Sequence, residues 1–422
     1  MMLYNYYYKI TFKKILFFLL FWSLLYIEPL KIGIFKISEI WKTIVVVVLF
    51  LILIKRKIRL PAFVWIGVLF SIKFLYYNTL PYGFSIAVSD ALTSFVFPVA
   101  LGILYVTFLK KYNSTNLLIS IAITLSLFFI YSNIPFFFGV ESLYPSTSLE
   151  KYGIEGNATK GLFYHIAVAS KVYSLSTIVL INFYSRFSKT LFLKLFWLMS
   201  VLIGIYCVYT SWTRTAWVVF TLSFFILLLY KSSFKMKFFF PFLFIIFIYS
   251  ISAFYSSNQA LKNRITNSTT YRINTESGLS SIIESRLPFI TIAIDNFTNE
   301  GLSGKLIGYG TQRGYDLFDK KTGMAISSHN GLLSILESSG LIGFLLYFIF
   351  IYHLFKTVYR NFKHVSIELQ KITFVSIFMF ISYFALSHGS SLYSNIIYSC
   401  FFVAVITEGS RLGVLKKKIL NE

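Results

Sequence analysis

The feature that most limits this chain is a succession of long apolar runs, separated by short polar stretches, from one end of the sequence to the other. A helix needs about 20 mainly apolar residues to cross the hydrocarbon of a bilayer, since each residue advances it by about 1.5 Å. Runs at 15–26, 40–54, 60–77, 86–109, 117–138, 161–184, 190–209, 215–230, 238–255, 331–355, 372–386 and 393–406 reach or approach that length. They predict an all-α polytopic membrane protein of about twelve transmembrane helices. Residues 1–422 then form one integral membrane domain. Composition agrees. Hydrophobic residues make up 57% and charged residues 13%, with a mean hydropathy of +0.72. A soluble domain is nearer a quarter charged. A globular cytoplasmic enzyme is thereby excluded.

The 39 Lys and Arg against 16 Asp and Glu give a net charge of +23, which could report nucleic acid, anionic lipid or membrane topology. Position decides between them. Basic residues crowd alternate loops, among them Lys13 and Lys14, Lys55 to Arg59, Lys110 and Lys111, Lys231 to Lys237, Lys356 to Lys371, and Lys416 to Lys418. The intervening loops hold few: Lys31, Lys36, Lys42, Lys151, Lys160 and Arg214. This is the positive-inside pattern, with both termini cytoplasmic. It makes membrane lipids the partners of the charge and removes the case for nucleic acid, which needs one basic patch with interleaved aromatics. Lys13 and Lys14 precede an apolar stretch without a small-residue cleavage site, so a retained first helix is expected. Cys207 and Cys400 both fall inside apolar runs and suggest neither a disulfide framework nor a metal site.

Residues 256–328 break the pattern of short loops. They form a large extracytoplasmic segment between the ninth and tenth spans, with a smaller one at 139–160. Loops of that length are usually functional. Ile282, Leu287, Ile290, Ile294 and Phe297 recur at helical spacing and predict an amphipathic helix over 279–297, followed by glycines 301, 304, 308, 310 and 314. Chemistry is therefore expected on the outer face. Gly301-Leu-Ser-Gly304-Lys305 is too short for a phosphate loop and lacks the following Ser or Thr. Asp316 and Asp319 have no third ligand nearby in sequence, so no metal is expected. A serine nucleophile elbow and an HExxH helix are both missing.

Arginines and one histidine remain. Arg214 lies in the tight connection Thr210-Ser-Trp-Thr-Arg-Thr-Ala-Trp217, where it either snorkels to lipid phosphates or forms an anion site. Guanidinium is always charged and its fork matches phosphate. Arg286 opens Arg286-Leu-Pro-Phe and is either a solvated helix residue or a second anion ligand; Arg264, Arg272 and Arg313 read more simply as loop charges. His329 lies where the long loop re-enters the membrane. Gly340 follows about three helical turns later, and with Gly343 it would admit a neighbouring helix. Asn330, Ser334, Glu337 and Ser338 would give that helix a polar face. The plainer alternative is that Ser328 or Asn330 caps the helix, the glycines only pack, and His329 is incidental.

His329-Asn330, nine residues, then Gly340-x-x-Gly343 resembles the signature of the bacterial O-antigen polymerase and O-antigen ligase superfamily. Thr213-Arg214-Thr215 is similar to its arginine at a span boundary. Ser285-Arg286 through Asn296-Phe297, then Gly308-Tyr309-Gly310, is similar to its loop helix and glycine turn. The resemblance implies an enzyme of the bacterial inner membrane, a glycosyltransferase that needs no cofactor and uses an undecaprenyl-diphosphate-linked oligosaccharide. It further implies His329 as catalytic base, Arg214 and Arg286 as diphosphate ligands, and Asn330, Glu337, Arg264, Arg313 and Tyr309 in support. Tyr309 is expected to stack on sugar rings, and a chain-length regulator would be a further partner. Polymerase and ligase differ in acceptor, another lipid-linked repeat unit or lipid A-core. Two enlarged outer loops favour polymerase. An Arg-x10-Gly motif is not evident, since Gly301 lies farther from Arg286. A lipid-linked oligosaccharide transporter would show midplane charges; Asp90, Lys73 and Lys171 are the candidates, without an evident relay.

Overall fold

The computed structural model describes residues 166–230, 287–322, 328 and 330–386, with isolated residues and short pieces elsewhere. Most of the first five runs, residues 256–286 and position 329 lie outside the described residues. Two antiparallel pairs of two residues each occur: β1 (Lys31–Ile32) with β2 (Phe35–Lys36), and β3 (Thr147–Ser148) with β4 (Asn157–Ala158). The second pair falls in the 139–160 loop. All other described elements are helical.

Helix α1 (Ile166–Asn182) is the axis of the bundle, with Ala169 to Leu180 all buried. Two of its buried hydroxyls are satisfied locally: Ser174 donates to Ser170 O at 2.7 Å and Thr177 to Tyr173 O at 2.8 Å. Such back-bonding lets hydroxyls sit in an apolar interior at little cost. A short turn, α2 (Tyr184–Phe187), leads to α3 (Leu191–Thr210), which Thr190 caps by accepting from Leu193 N–H at 3.2 Å. Helix α3 approaches α1 at Gly204, where a side chain would collide with the Thr177 hydroxyl. Its opposite stripe, including Leu191, Leu195, Leu198 and Leu202, is exposed, as a lipid-facing surface would be. Helix α4 (Arg214–Leu229) follows after a three-residue connection and also packs on α1.

The 287–322 segment folds into three helices, α5 (Leu287–Asn299), α6 (Leu302–Ile307) and α7 (Thr311–Thr322). Residues 279–286 of the expected helix lie outside the described residues. The buried stripe of α5 is Phe289, Ala293 and Asn296, whereas Ile294 is exposed. Apolar residues stand on more than one side of α5. Packing of Phe289 and Ala293 with Phe318 of α7 selects the face.

Two long elements complete the bundle, α8 (Gly331–Phe362) and α9 (Ile367–Leu386). Helices α3, α8 and α9 are long and apolar enough to cross a membrane. Helix α8 is two segments. Gly340 interrupts it with φ 63° and ψ −173°, a conformation essentially confined to glycine. The break is sharp. Gly331 sits against the Phe384 ring, and Tyr347 stacks on the same ring at 5.4 Å. A straight helix would hold those two residues about 24 Å apart. The expectation that Gly340 shares one helical face with position 329 is therefore corrected, because the chain turns back at Gly340.

Hydrogen bonds fix the directions. Asn182 at the end of α1 donates to Glu368 O at the start of α9 (2.9 Å), and Trp197 early in α3 donates to Leu180 O late in α1 (2.7 Å). At the opposite end Asn330 donates to Ala385 O (3.1 Å). The start of α4, the start of α8 and the end of α9 thus share one end of the bundle.

Candidate functional site

Arg214 is the first residue of α4. The turn that delivers it is braced by aromatics. Trp217 Nε1 donates to Val208 O and Tyr209 O, both at 3.1 Å, and Tyr209, Trp212 and Trp217 rings lie 5.6 to 5.9 Å apart. Trp212 adopts φ 52°, a left-handed conformation that costs a non-glycine residue about 1 kcal/mol. The Ser211 hydroxyl, donating to Val208 O at 2.7 Å, helps to hold the turn. Thr213 precedes α4 without capping it by its side chain. Arg214 therefore stands at the N-terminal end of α4, the end of a helix whose dipole favours an anion.

The start of α8 is the second part. Asn330 caps it, its Oδ1 accepting from Leu332 N–H at 2.9 Å and Leu333 N–H at 3.2 Å, while its Nδ2 donates to Ala385 O. Capping, the plainer alternative read from the sequence, is what Asn330 does. Ser328, 1% exposed, donates to Asn330 O at 3.1 Å. Position 329 is thus flanked by two residues with defined bonds. His329 itself, Arg286 and Arg264 lie outside the described residues.

The third part joins the loop helices to this segment. Gly308-Tyr309-Gly310 lies against Glu337 to Gly340: Tyr309 N–H donates to Glu337 O at 3.0 Å and Gly310 N–H to Ser338 O at 3.2 Å. The Tyr309 hydroxyl donates to Glu337 Oε1 at 2.9 Å. A Cβ on Gly308, where φ is 88°, would stand 2.5 Å from Gly340 N and Ser338 O. Both chains must be bare for this approach. Burial, with the Glu337 carboxyl alongside, holds the Tyr309 phenol well above its ordinary pKa. Tyr309 is 6% exposed, so its ring has no free face for a sugar, and the stacking expectation is corrected. Its job is internal.

Arg313 is committed to the loop, its Nη2 2.7 Å from Glu300 Oε1 and its guanidinium 5.9 Å from the centre of the Tyr309 ring. An exposed pair of this kind contributes little stability. Gly340 meets Ile307 at the end of α6 and the Gly308 turn that follows it; Gly343 is buried beyond the break. Among the described residues no group of three His, Cys, Asp or Glu is gathered. Lys171, read from the sequence as a candidate midplane charge, is 2% exposed with its ammonium 5.7 Å from the Tyr383 ring. Its signal was available: a lysine inside an apolar run must bury its charge against something.

The fold and this end of the bundle define a helical membrane protein whose polar machinery gathers where a loop domain meets the helices. Residues 199–348 match the family model described as O-antigen ligase, so this stretch of the chain is similar to that family. The matched stretch contains Arg214, the loop helices, the start of α8 and its break. No curated relative matches the chain. The family's activity is glycan transfer of the ligase or polymerase kind, acting on lipid-linked oligosaccharides in membranes.

Proposed function

We propose that the protein is an O-antigen or capsular polysaccharide polymerase of the bacterial inner membrane. Glycan passes from an undecaprenyl-diphosphate donor to the acceptor sugar of another lipid-linked repeat unit, at the outer face. The observation that carries this reading is the match over residues 199–348, a stretch that includes both Arg214 and the segment flanking position 329. In the proposed reaction the acceptor hydroxyl attacks the anomeric carbon, the bond from that carbon to the diphosphate oxygen breaks, and undecaprenyl diphosphate leaves. His329 takes the hydroxyl proton; an imidazole with a pKa near ~6.5 suits that task. Attack from the face opposite the leaving group inverts the anomeric centre. Arg214 and Arg286 stabilise the charge that develops on the diphosphate, work that needs neither nucleotide nor metal. Twelve spans with cytoplasmic termini, and the 256–328 loop between the ninth and tenth, belong to the same proposal.

The ligase reading, with lipid A-core as acceptor, is kept because the matching family carries that description. Glycan profiling of a deletion strain separates the readings. A single repeat unit on lipid A-core is the expected result; unattached polymer on the carrier would indicate a ligase, and repeats stranded on the cytoplasmic leaflet a transporter. In that strain Arg214→Ala should insert normally yet lower polymer output about 10- to 100-fold, the loss of one or two charge-assisted hydrogen bonds. Wild-type polymer from Arg214→Ala would leave the arginine as a lipid anchor.

A further inference from the structure

We infer that Tyr309 and Glu337 are positioning residues that couple the loop helices to the 328–330 segment and thereby set turnover. The inference rests on the proposed role of His329. Two contacts converge on Glu337. Its side chain accepts from the Tyr309 hydroxyl and its backbone oxygen accepts from Tyr309 N–H, and it stands on the helix that Asn330 caps. Ser328 directly precedes position 329 and is tied to Asn330, the residue that directly follows it. One buried residue therefore ties the glycine turn of the loop to the short helix that Asn330 caps directly after the proposed base.

The surroundings leave this pair little freedom. Gly308 and Gly340 approach so closely that neither could carry a side chain without meeting the other's backbone. Tyr309 and Glu337 are 6% and 5% exposed, so a broken bond between them would not be replaced by bulk water. On the loop side, Phe289, Ala293 and Phe318 form a small core with Leu333 from the same short helix as Glu337. A displacement of α5 to α7 on binding substrate would be carried through Tyr309 and Glu337 to residues 328–330. Purely structural residues would behave differently: their loss would reduce the yield of folded protein and leave turnover per folded molecule unchanged.

The test uses the full-length protein in vesicles with a polyprenyl-diphosphate-linked oligosaccharide, counting glycan transfer to either acceptor. Tyr309→Phe and Glu337→Ala should each lower kcat about tenfold per folded molecule without changing KM for the donor, as one buried hydrogen bond would. The double variant should fall little below either single one, because both remove the same link. Glu337→Gln, whose amide oxygen still accepts from Tyr309, should recover most of what alanine loses. Independent multiplication of the two defects, a rise in KM alone, or lowered yield with normal kcat would each overturn the inference. If Glu337→Ala fails to fold, Tyr309→Phe and Glu337→Gln carry the comparison. His329→Ala in the same assay tests the base separately, and full activity there would remove the base while the kcat of the other variants still decides the coupling.

Discussion

Alanine in place of Gly340 is expected to destabilise the protein by about 3 kcal/mol or more. Two costs combine. The backbone there has φ 63° and ψ −173°, where a Cβ is strained regardless of its neighbours. The added carbon would also stand 2.5 Å from Ile307 N and 2.6 Å from Ile307 C, backbone atoms that cannot rotate away. Relief would mean separating α6 from α8 and losing both Tyr309 links to Glu337. Gly301→Ala is the matched control, since a Cβ at Gly301 meets nothing within 4 Å. Thermal unfolding in detergent and protease sensitivity of the 287–322 segment should distinguish the two. Equal melting temperatures for both variants would show that the break in α8 is soft.

His329→Ala is expected to lower transfer about 10²- to 10⁴-fold, the range that a positioned general base contributes, while insertion and melting stay as in the wild type. The stability half of this expectation follows from the bonding around position 329. Asn330 caps α8 and reaches Ala385, and Ser328 ties to Asn330. None of those bonds uses the residue 329 side chain. A variant that loses activity together with its fold would instead make His329 a structural residue.

The parts of this architecture set by composition and periodicity were legible from the residues alone. Apolar runs at 190–209 and 372–386 became α3 and α9 with nearly the same limits, because hydrophobic length is a property of the run itself. The break in α8 was not. Gly340-x-x-Gly343 reads as a surface for a neighbouring helix, and only the partner across it, a second glycine at 308 with positive φ, reveals a turn. Two glycines far apart in sequence that must lose their side chains together leave no periodic signal. The same limit applied to Tyr309, one of 30 tyrosines, whose burial depends on Glu337 arriving from another helix. On α5 the apolar residues were correctly taken as amphipathic, but the buried stripe was settled by Phe318 and Leu333, which its own sequence does not contain. Arg214 was placed by sequence at a helix boundary, and α4 begins there.

The account stands most directly on whether this chain alone moves glycan off a polyprenyl diphosphate. Purified protein in vesicles, supplied with an undecaprenyl-diphosphate-linked oligosaccharide as the sole sugar source and a metal chelator, should form longer lipid-linked glycan. One undecaprenyl diphosphate should be released for each new linkage, and both products should vanish with His329→Ala. Donor that stays intact in the presence of the wild-type protein, or equal product from His329→Ala, would contradict it.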